Sequence, residues 1–506
     1  MASCPEPEPG DTPQSRLKTD ALGAGGITFL VVAAAAPLTI MTGLAPLAIL
    51  IGGIGAPAGY LVAGGVLAAF SVGFLSMAKH TAGTGAFYTY VTLGLGRTAG
   101  MAAGILAVVS YNALQIGVYG LLGVQFRDAF TELAGVTPHW AVPALGAVVL
   151  VWAVGRRGID LGARFVGVLL LAEVAILVLL VAAVLLSGGA SGLDSDPFAP
   201  RALTDPGMLA ITGFCFAAFM GFESTTLYRD EARDPARSIP RATYTAVAFL
   251  ALFYCLVVWA VIQAFGDRAS EVAADNPAAM FVVAIERYVG TWAGDVLYLL
   301  VLTSVLASQV AFHNAINRYT LSLARDGLLP AALARPHPRH GSPAAAGTVQ
   351  SLLAAVVVLA FAVTGADPYL RLLLLVNTPG VIGVLVLLVV TSLAVIAYLG
   401  RSRLPGTRLG TVSAAVTTVL LAAAVTGLVA NLHALTGAGA ATNAALAAVV
   451  PAVLVAAAVA ARVLRARRPD VYARVGGGTA TDAPAPPAAE NAEPNPTSRP
   501  GEPHAD

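Results

Sequence analysis

Residues 21–78 read ALGAGGITFLVVAAAAPLTIMTGLAPLAILIGGIGAPAGYLVAGGVLAAFSVGFLSMA, a run of 58 without one Asp, Glu, Lys or Arg. A membrane-spanning helix needs about 20 apolar residues to cross roughly 30 Å of hydrocarbon, so this single run holds two spans. An outer-membrane strand would alternate apolar and polar over about ten residues, and nothing here alternates. Residues 409–461 form a second run of 53 that also holds two spans. Shorter charge-free runs cover 98–126, 133–155, 242–266, 296–317, 340–366 and 372–400. Two more apolar stretches, 164–187 and 207–228, are each interrupted by one carboxylate, Glu173 and Glu223. The expected fold is therefore an all-α integral membrane protein with twelve transmembrane helices.

Composition agrees. Of 506 residues, 57% are apolar and 11% charged, against roughly 25% charge in a soluble domain. A soluble enzyme, a nucleic-acid binder and a mainly disordered chain are excluded, and the net charge of +1 points to no charged partner. Basic residues collect in cytoplasmic loops. With an internal N-terminus and twelve spans, all but five of the 29 basic residues fall inside; the five outside are Arg127, Arg201, Arg268, Arg287 and Arg371. Both termini are thus expected in the cytoplasm of a cell with this protein in its plasma membrane. Residues 1–20 and 467–506 read as disordered tails around a helical domain at 21–466. The three cysteines have no disulfide or zinc spacing, and packing suits them.

Two spans carry helix-breaking signals. The first contains Ala36-Pro37-Leu-Thr39-Ile-Met-Thr42-Gly43-Leu-Ala-Pro46, and the sixth contains Ala217-Ala218-Phe219-Met-Gly221-Phe-Glu223. Glycine and proline are also simply frequent in membrane helices. Spans one and six open two five-helix halves if the chain is built as five plus five, about 21–190 and 205–400, plus two C-terminal helices at about 409–466. Because five is odd, the halves would be inverted relative to each other, and paired interruptions at matching positions mark a solute site between such repeats.

Here the chain resembles a known family. Gly221-Phe222-Glu223, followed by Asp230-Glu231-Ala-Arg233-Asp234-Pro235-Ala-Arg237-Ser-Ile-Pro240-Arg241-Ala242, is similar to the sixth-helix signature of the amino acid/polyamine/organocation superfamily. Gly85-Ala-Phe87-Tyr88-Thr-Tyr90-Val91 resembles that family's loop after helix two, and Ala324-Arg325-Asp326-Gly327-Leu-Leu-Pro330 the end of its helix eight. The resemblance implies a permease for amino acids or amines whose first-helix break cradles the solute. Family members commonly carry Gly-x-Gly followed by Ile or Val there, whereas this chain has Thr42-Gly43-Leu44. The acidic residue frequent at the end of helix two is replaced by Ser76, Met77 and Ala78.

On this reading a solute carboxylate meets backbone N–H groups around Thr42 and Gly43, with Thr39 nearby, and its amine meets carbonyls at Ala217, Ala218 and Phe219 before Gly221. Glu173 lies about 14 Å along its helix from Arg164, near the bilayer centre. A charge at that depth costs about 2.5–3.5 kcal/mol, so Glu173 is the leading candidate to carry protons, or else a neutral, hydrogen-bonded packing group. By resemblance it falls where several relatives use a lysine in coupling. Glu223 either senses protons or solute, or pairs with an arginine at 229–241. Asn112, Gln115 and Tyr119 share a helical face beside Tyr111, and this stripe is either a cavity wall or an interhelical hydrogen-bond seam. Ser304 and Ser308, one turn apart, line the same cavity or permit close packing. Phe312 lies where the resemblance places a gating aromatic. His313 is expected at a wetted cytoplasmic end, and Asn377 is polar without a motif.

There is no Gly-x-x-x-x-Gly-Lys-Ser/Thr phosphate loop and no metal-ligand spacing, so no cofactor, metal or ATP-driven step is expected. The function expected is a secondary active transporter, a proton symporter working by alternating access. An exchanger without net proton coupling, a channel and a solute sensor are the alternatives. Oligomeric state is not legible.

Overall fold

The computed structural model describes residues 23–80, 87–157, 163–204, 206–228, 232–335, 337, 342–402 and 406–476. Among them every element is helical. The order is α1 (Ala24–Ala35), α2 (Pro37–Gly43), α3 (Ala45–Gly52), α4 (Ala56–Ala78), α5 (Phe87–Leu95), α6 (Arg97–Ala134), α7 (Ala141–Arg157), α8 (Ala163–Ser187), α9 (Pro200–Leu203) and α10 (Pro206–Ala217). It continues with α11 (Pro235–Phe265), α12 (Ala269–Asp275), α13 (Met280–Tyr288), α14 (Thr291–Arg325), α15 (Ala344–Thr364), α16 (Leu374–Ser402), α17 (Arg408–Ala430), α18 (Leu432–Thr436), α19 (Ala440–Arg467) and α20 (Pro469–Arg474).

Eleven helical segments among the described residues are long and apolar enough to cross a bilayer. The stretch expected as a further span at 133–155 is α7, a helix of 17 residues, about 26 Å long. It starts late because α6 runs on past its apolar stretch. Arg127 and Asp128 pair with each other at 2.8 Å, so the helix continues through them until Gly135, at φ 65, turns the chain.

The core is set by close approach of α6 and α16. Small residues let membrane helices bring their backbones together, and here they do so from both sides. A Cβ on Gly120 would lie 2.5 Å from the Pro368 carbonyl oxygen, and one on Gly380 would lie 2.8 Å from the Ser110 carbonyl oxygen. Gly117 faces the Asn377 side chain, 3.0 Å from where its own Cβ would be. This contact fixes how far Asn377 reaches toward the middle of the bundle.

The segment after Arg467 does not begin as a free tail. The chain turns at Arg468, and α20 docks against the ends of α5, α6 and α14. The Tyr472 hydroxyl lies 2.8 Å from that of Thr98, and Val475 is buried against Tyr88, Met101 and Leu323. Tyr88 donates its phenol proton to Asp326, while the Gly476 N–H donates to the Tyr88 oxygen at 2.5 Å and to the Asp326 carboxylate at 3.1 Å. Burial, then the adjoining carboxylate, pushes the Tyr88 phenol well above its ordinary range and keeps it a donor. Two of the quoted motifs are thus tied together by the C-terminal segment. The expected tails at 1–20 and from 477 onward lie outside the described residues.

The α6–α16 contact yields a prediction. Gly120→Ala drives a methyl into backbone and should cost about 1–3 kcal/mol, lowering the melting temperature in detergent. Gly65→Ala, where a Cβ meets nothing within 4 Å, should leave it unchanged or raised.

Candidate functional site

The first span breaks at Ala36, earlier than expected. Ala36 is left-handed, with φ 47 and ψ 68, and Pro37 supplies no N–H, so α1 ends and α2 starts afresh. Thr42 and Gly43 are the last residues of α2 and are buried. The Thr42 hydroxyl donates to the Leu38 carbonyl at 2.9 Å and accepts from Gln125 at 3.1 Å. The Gly43 carbonyl accepts from the Tyr369 hydroxyl at 2.6 Å, and a Cβ there would lie 2.4 Å from Leu121. Gly43 is thus closely packed and Thr42 hydrogen-bonded, and the N–H groups freed at the Ala36 break belong to the residues after Pro37.

The stretch expected as the sixth span breaks where the sequence marks it. Helix α10 ends at Ala217, residues 218–221 turn, Gly221 takes φ 104, and a 3-10 helix follows over Phe222–Tyr228. The Ala217 and Phe219 carbonyls accept from Met220 and Phe222 N–H at 3.1 and 3.2 Å, and each keeps a second lone pair. Glu223 folds back on the break. It accepts the Gly221 N–H at 3.0 Å and the Tyr111 hydroxyl at 2.8 Å.

Between the two breaks lies a cavity of about 40 Å³. It is lined by Ala34, Ala35, Ala36, Thr39, Ile40 and Leu44 from the first span, Ala217 and Met220 from the sixth, and Leu114, Val118, Leu121, Ser308, Phe312 and Asn377 from α6, α14 and α16. At roughly 10–15 Å³ per water, it has room for about three waters and none for an amino acid.

Glu173 stands one layer behind this cavity, 5% exposed. Ser304 donates to its Oε2 at 2.9 Å, and Thr39 donates to Ser304 at 2.9 Å. The Leu38 N–H, freed by the break, faces the same carboxylate. A hydroxyl chain therefore leads from Thr39 on the cavity wall, through Ser304, to a buried carboxylate.

Of the residues expected from sequence, Thr39, Ala217, Ser308 and Phe312 line the cavity. Ser304, Glu173, Tyr111, Glu223 and Gly221 are tied to its margins by hydrogen bonds, and Phe312 lies 6.4 Å from the Tyr111 ring, centroid to centroid. Ala218 and Phe219 are buried in the turn.

The polar stripe on α6 divides. Asn112 donates to the Val108 carbonyl at 2.7 Å within its own helix. Gln115 and Gln309 donate to each other's carbonyls at 3.1 and 3.2 Å, and Gln350 donates to the Gln115 amide oxygen at 2.5 Å. That is an interhelical seam rather than a cavity wall. His313 is also not wetted. It is 1% exposed, because Gly155 and Gly347 let α7 and α15 close over it, with Cβ positions 2.4 and 2.8 Å from its ring. Sequence reasoning did not place Ala34 to Ala36, Met220 or Asn377 in the site, although Ala-Ala-Ala-Pro37 and a polar residue two before Pro379 were available signals.

A family model described as amino acid permease matches residues 26–469. The chain belongs to this family. Among its relatives is an uncharacterized transporter of Mycobacterium tuberculosis, 28% identical over 62% of this chain and 70% of the relative. A branched-chain amino acid permease of Bacillus subtilis is 22% identical over 54% and 62% respectively. An L-asparagine permease of Escherichia coli is 25% identical over 52% and 53%. The permease is accordingly a multi-pass membrane transporter and not an enzyme.

The permease's first break carries its own test. A left-handed alanine costs about 1–2 kcal/mol, and a β-branched residue in that conformation is a genuine outlier. Ala36→Gly should fold and melt within about 1 kcal/mol of the parent. Ala36→Val should lower the melting temperature in detergent sharply.

Proposed function

We propose that the permease is a secondary active transporter of amino acids or related amines in the plasma membrane, coupled to protons. In this reading α7 completes twelve spans, the first ten form two inverted halves, and both termini are cytoplasmic. The two broken spans then open the first and second halves, which is where a solute site at a repeat interface belongs. The amino acid permease of B. subtilis and the asparagine permease of E. coli among its relatives support the solute class.

The observation that carries the proposal is the small cavity between the breaks with the Thr39–Ser304–Glu173 chain leading off it. A solute amine would meet the carbonyl end of α10 at Ala217 to Phe219, where the helix dipole is negative. A solute carboxylate would approach the N–H groups after Pro37. Glu173 already faces the Leu38 N–H, and two like charges cannot both settle there. A carboxylate-bearing solute thus binds with Glu173 neutral, its proton having crossed Thr39 and Ser304. Proton binding and solute binding are then one event, as symport requires. Phe312 would close the cavity on the Tyr111 and Glu223 side.

The test is uptake in proteoliposomes across a panel of amino acids and amines. An inward proton gradient should drive accumulation by the parent. Glu173→Gln should lose that accumulation yet retain counterflow exchange, and Ser304→Ala should slow it. Uptake indifferent to the gradient and unchanged in Glu173→Gln would remove the proton coupling, and a strict need for internal solute would mark an exchanger. No uptake or exchange with any panel member would remove the solute class.

A further inference from the structure

A second cavity lies at the C-terminal end of α7. It measures about 240 Å³ and is lined by Trp152, Ala153, Arg156, Arg157 and His337. Its walls are fixed. The Trp152 indole N–H donates to Thr348 on α15 at 3.0 Å, and the Arg156 guanidinium lies 5.4 Å from the Trp152 ring centroid. The Ser342 hydroxyl donates to the Arg156 carbonyl at 2.6 Å, and the His337 N–H donates to the Ser342 carbonyl at 2.7 Å. These bonds hold the loop residue His337 against the end of α7.

Among the described residues the lining of this pocket is one-signed. It gathers two arginines and a histidine, and among the described residues no carboxylate lines it and neither arginine makes an ion pair. Two guanidinium groups at a helix end, one stacked on an indole, present forks of N–H donors suited to phosphate oxygens. Tryptophan at the end of a span marks the headgroup level of a bilayer. Just below it, Val149 and Leu150 on α7 and Val349, Leu352 and Leu353 on α15 are exposed, forming an apolar track running away from the pocket. A charged anchor that merely follows the positive-inside rule needs neither the cavity nor the track.

We propose that this pocket binds a phosphate-bearing anion, namely the phosphodiester headgroup of an anionic lipid whose chains lie along α7 and α15. A free phosphate shares the headgroup's chemistry but leaves the apolar track unused. The proposal is independent of what the permease transports.

Lipid quenching tests it with the full chain. In a Trp140→Phe, Trp259→Phe, Trp292→Phe background, Trp152 is the sole tryptophan. Detergent-solubilised protein is titrated with brominated phosphatidylglycerol or brominated phosphatidylcholine. Phosphatidylglycerol should quench at lower concentration, and each arginine should account for about a fivefold share of the preference. Arg157→Gln and Arg156→Gln should each reduce the preference, and Arg156→Lys should keep part of it. Arg408→Gln, at the start of another span, should not alter it. Displacement of phosphatidylglycerol by millimolar inorganic phosphate would support the site with a soluble anion as occupant. Equal quenching by the two lipids, or the same loss in Arg408→Gln as in Arg157→Gln, would overturn the proposal. A melting curve for each variant separates lost binding from lost folding.

Discussion

A backbone N–H or carbonyl left without a partner in hydrocarbon costs several kcal/mol, and the permease interrupts two helices in the middle of its bundle. A carboxylate stands beside each interruption. Glu173 faces the Leu38 N–H behind the first break, and Glu223 takes the Gly221 N–H at the second. Tyr369 reaches the Gly43 carbonyl, where the first span bends again at Leu44. The two carboxylates that interrupt otherwise apolar spans are thus placed at the two discontinuities. Each is further held by a hydroxyl from another helix, Ser304 or Tyr111.

Helix α14 separates two uses of polar side chains. Ser304, Ser308 and Phe312 recur every four residues and point toward the breaks. Gln309, His313 and Asn317 recur at the same spacing on the neighbouring face and are buried against α6, α7 and α15. The first face borders a cavity and the second ties helices together through Gln115 and Gln350. A helix with period 3.6 can carry both functions side by side, which is why polarity alone does not tell them apart.

The spans were legible because charge is excluded from hydrocarbon and the runs between charges measure its thickness. Their ends were less so. Arg127 and Asp128 cancel one another, so α6 outlasts its apolar run, and α20 continues an apparently polar tail because Val471, Tyr472 and Val475 find a small core to enter. Of the residues that line the cavity, Thr39, Ala217 and Ser308 were picked out by breaks and spacing and Phe312 by resemblance. Thr42 and Gly43 do stand at a discontinuity, where α2 gives way to α3 at Leu44, but an earlier one lies at Ala36, because Pro37 acts on the residue before it. Asn377 could not be placed without knowing that Gly117 and Gly120 draw α16 so close. The interhelical role of Gln115 depended on partners 194 and 235 residues away.

Ala36 is also a joint between the two pieces of the first span. A glycine there would let the two pieces of the first span swivel over a wide range of directions, since both hands of φ are open to it. A methyl group closes most of that range. The half-helices are left with a narrow arc of relative tilt, so the angle at which they meet at the cavity wall is set by a single side chain. The permease gives up a little backbone ease at one residue and gains a fixed angle between the two pieces of its first span.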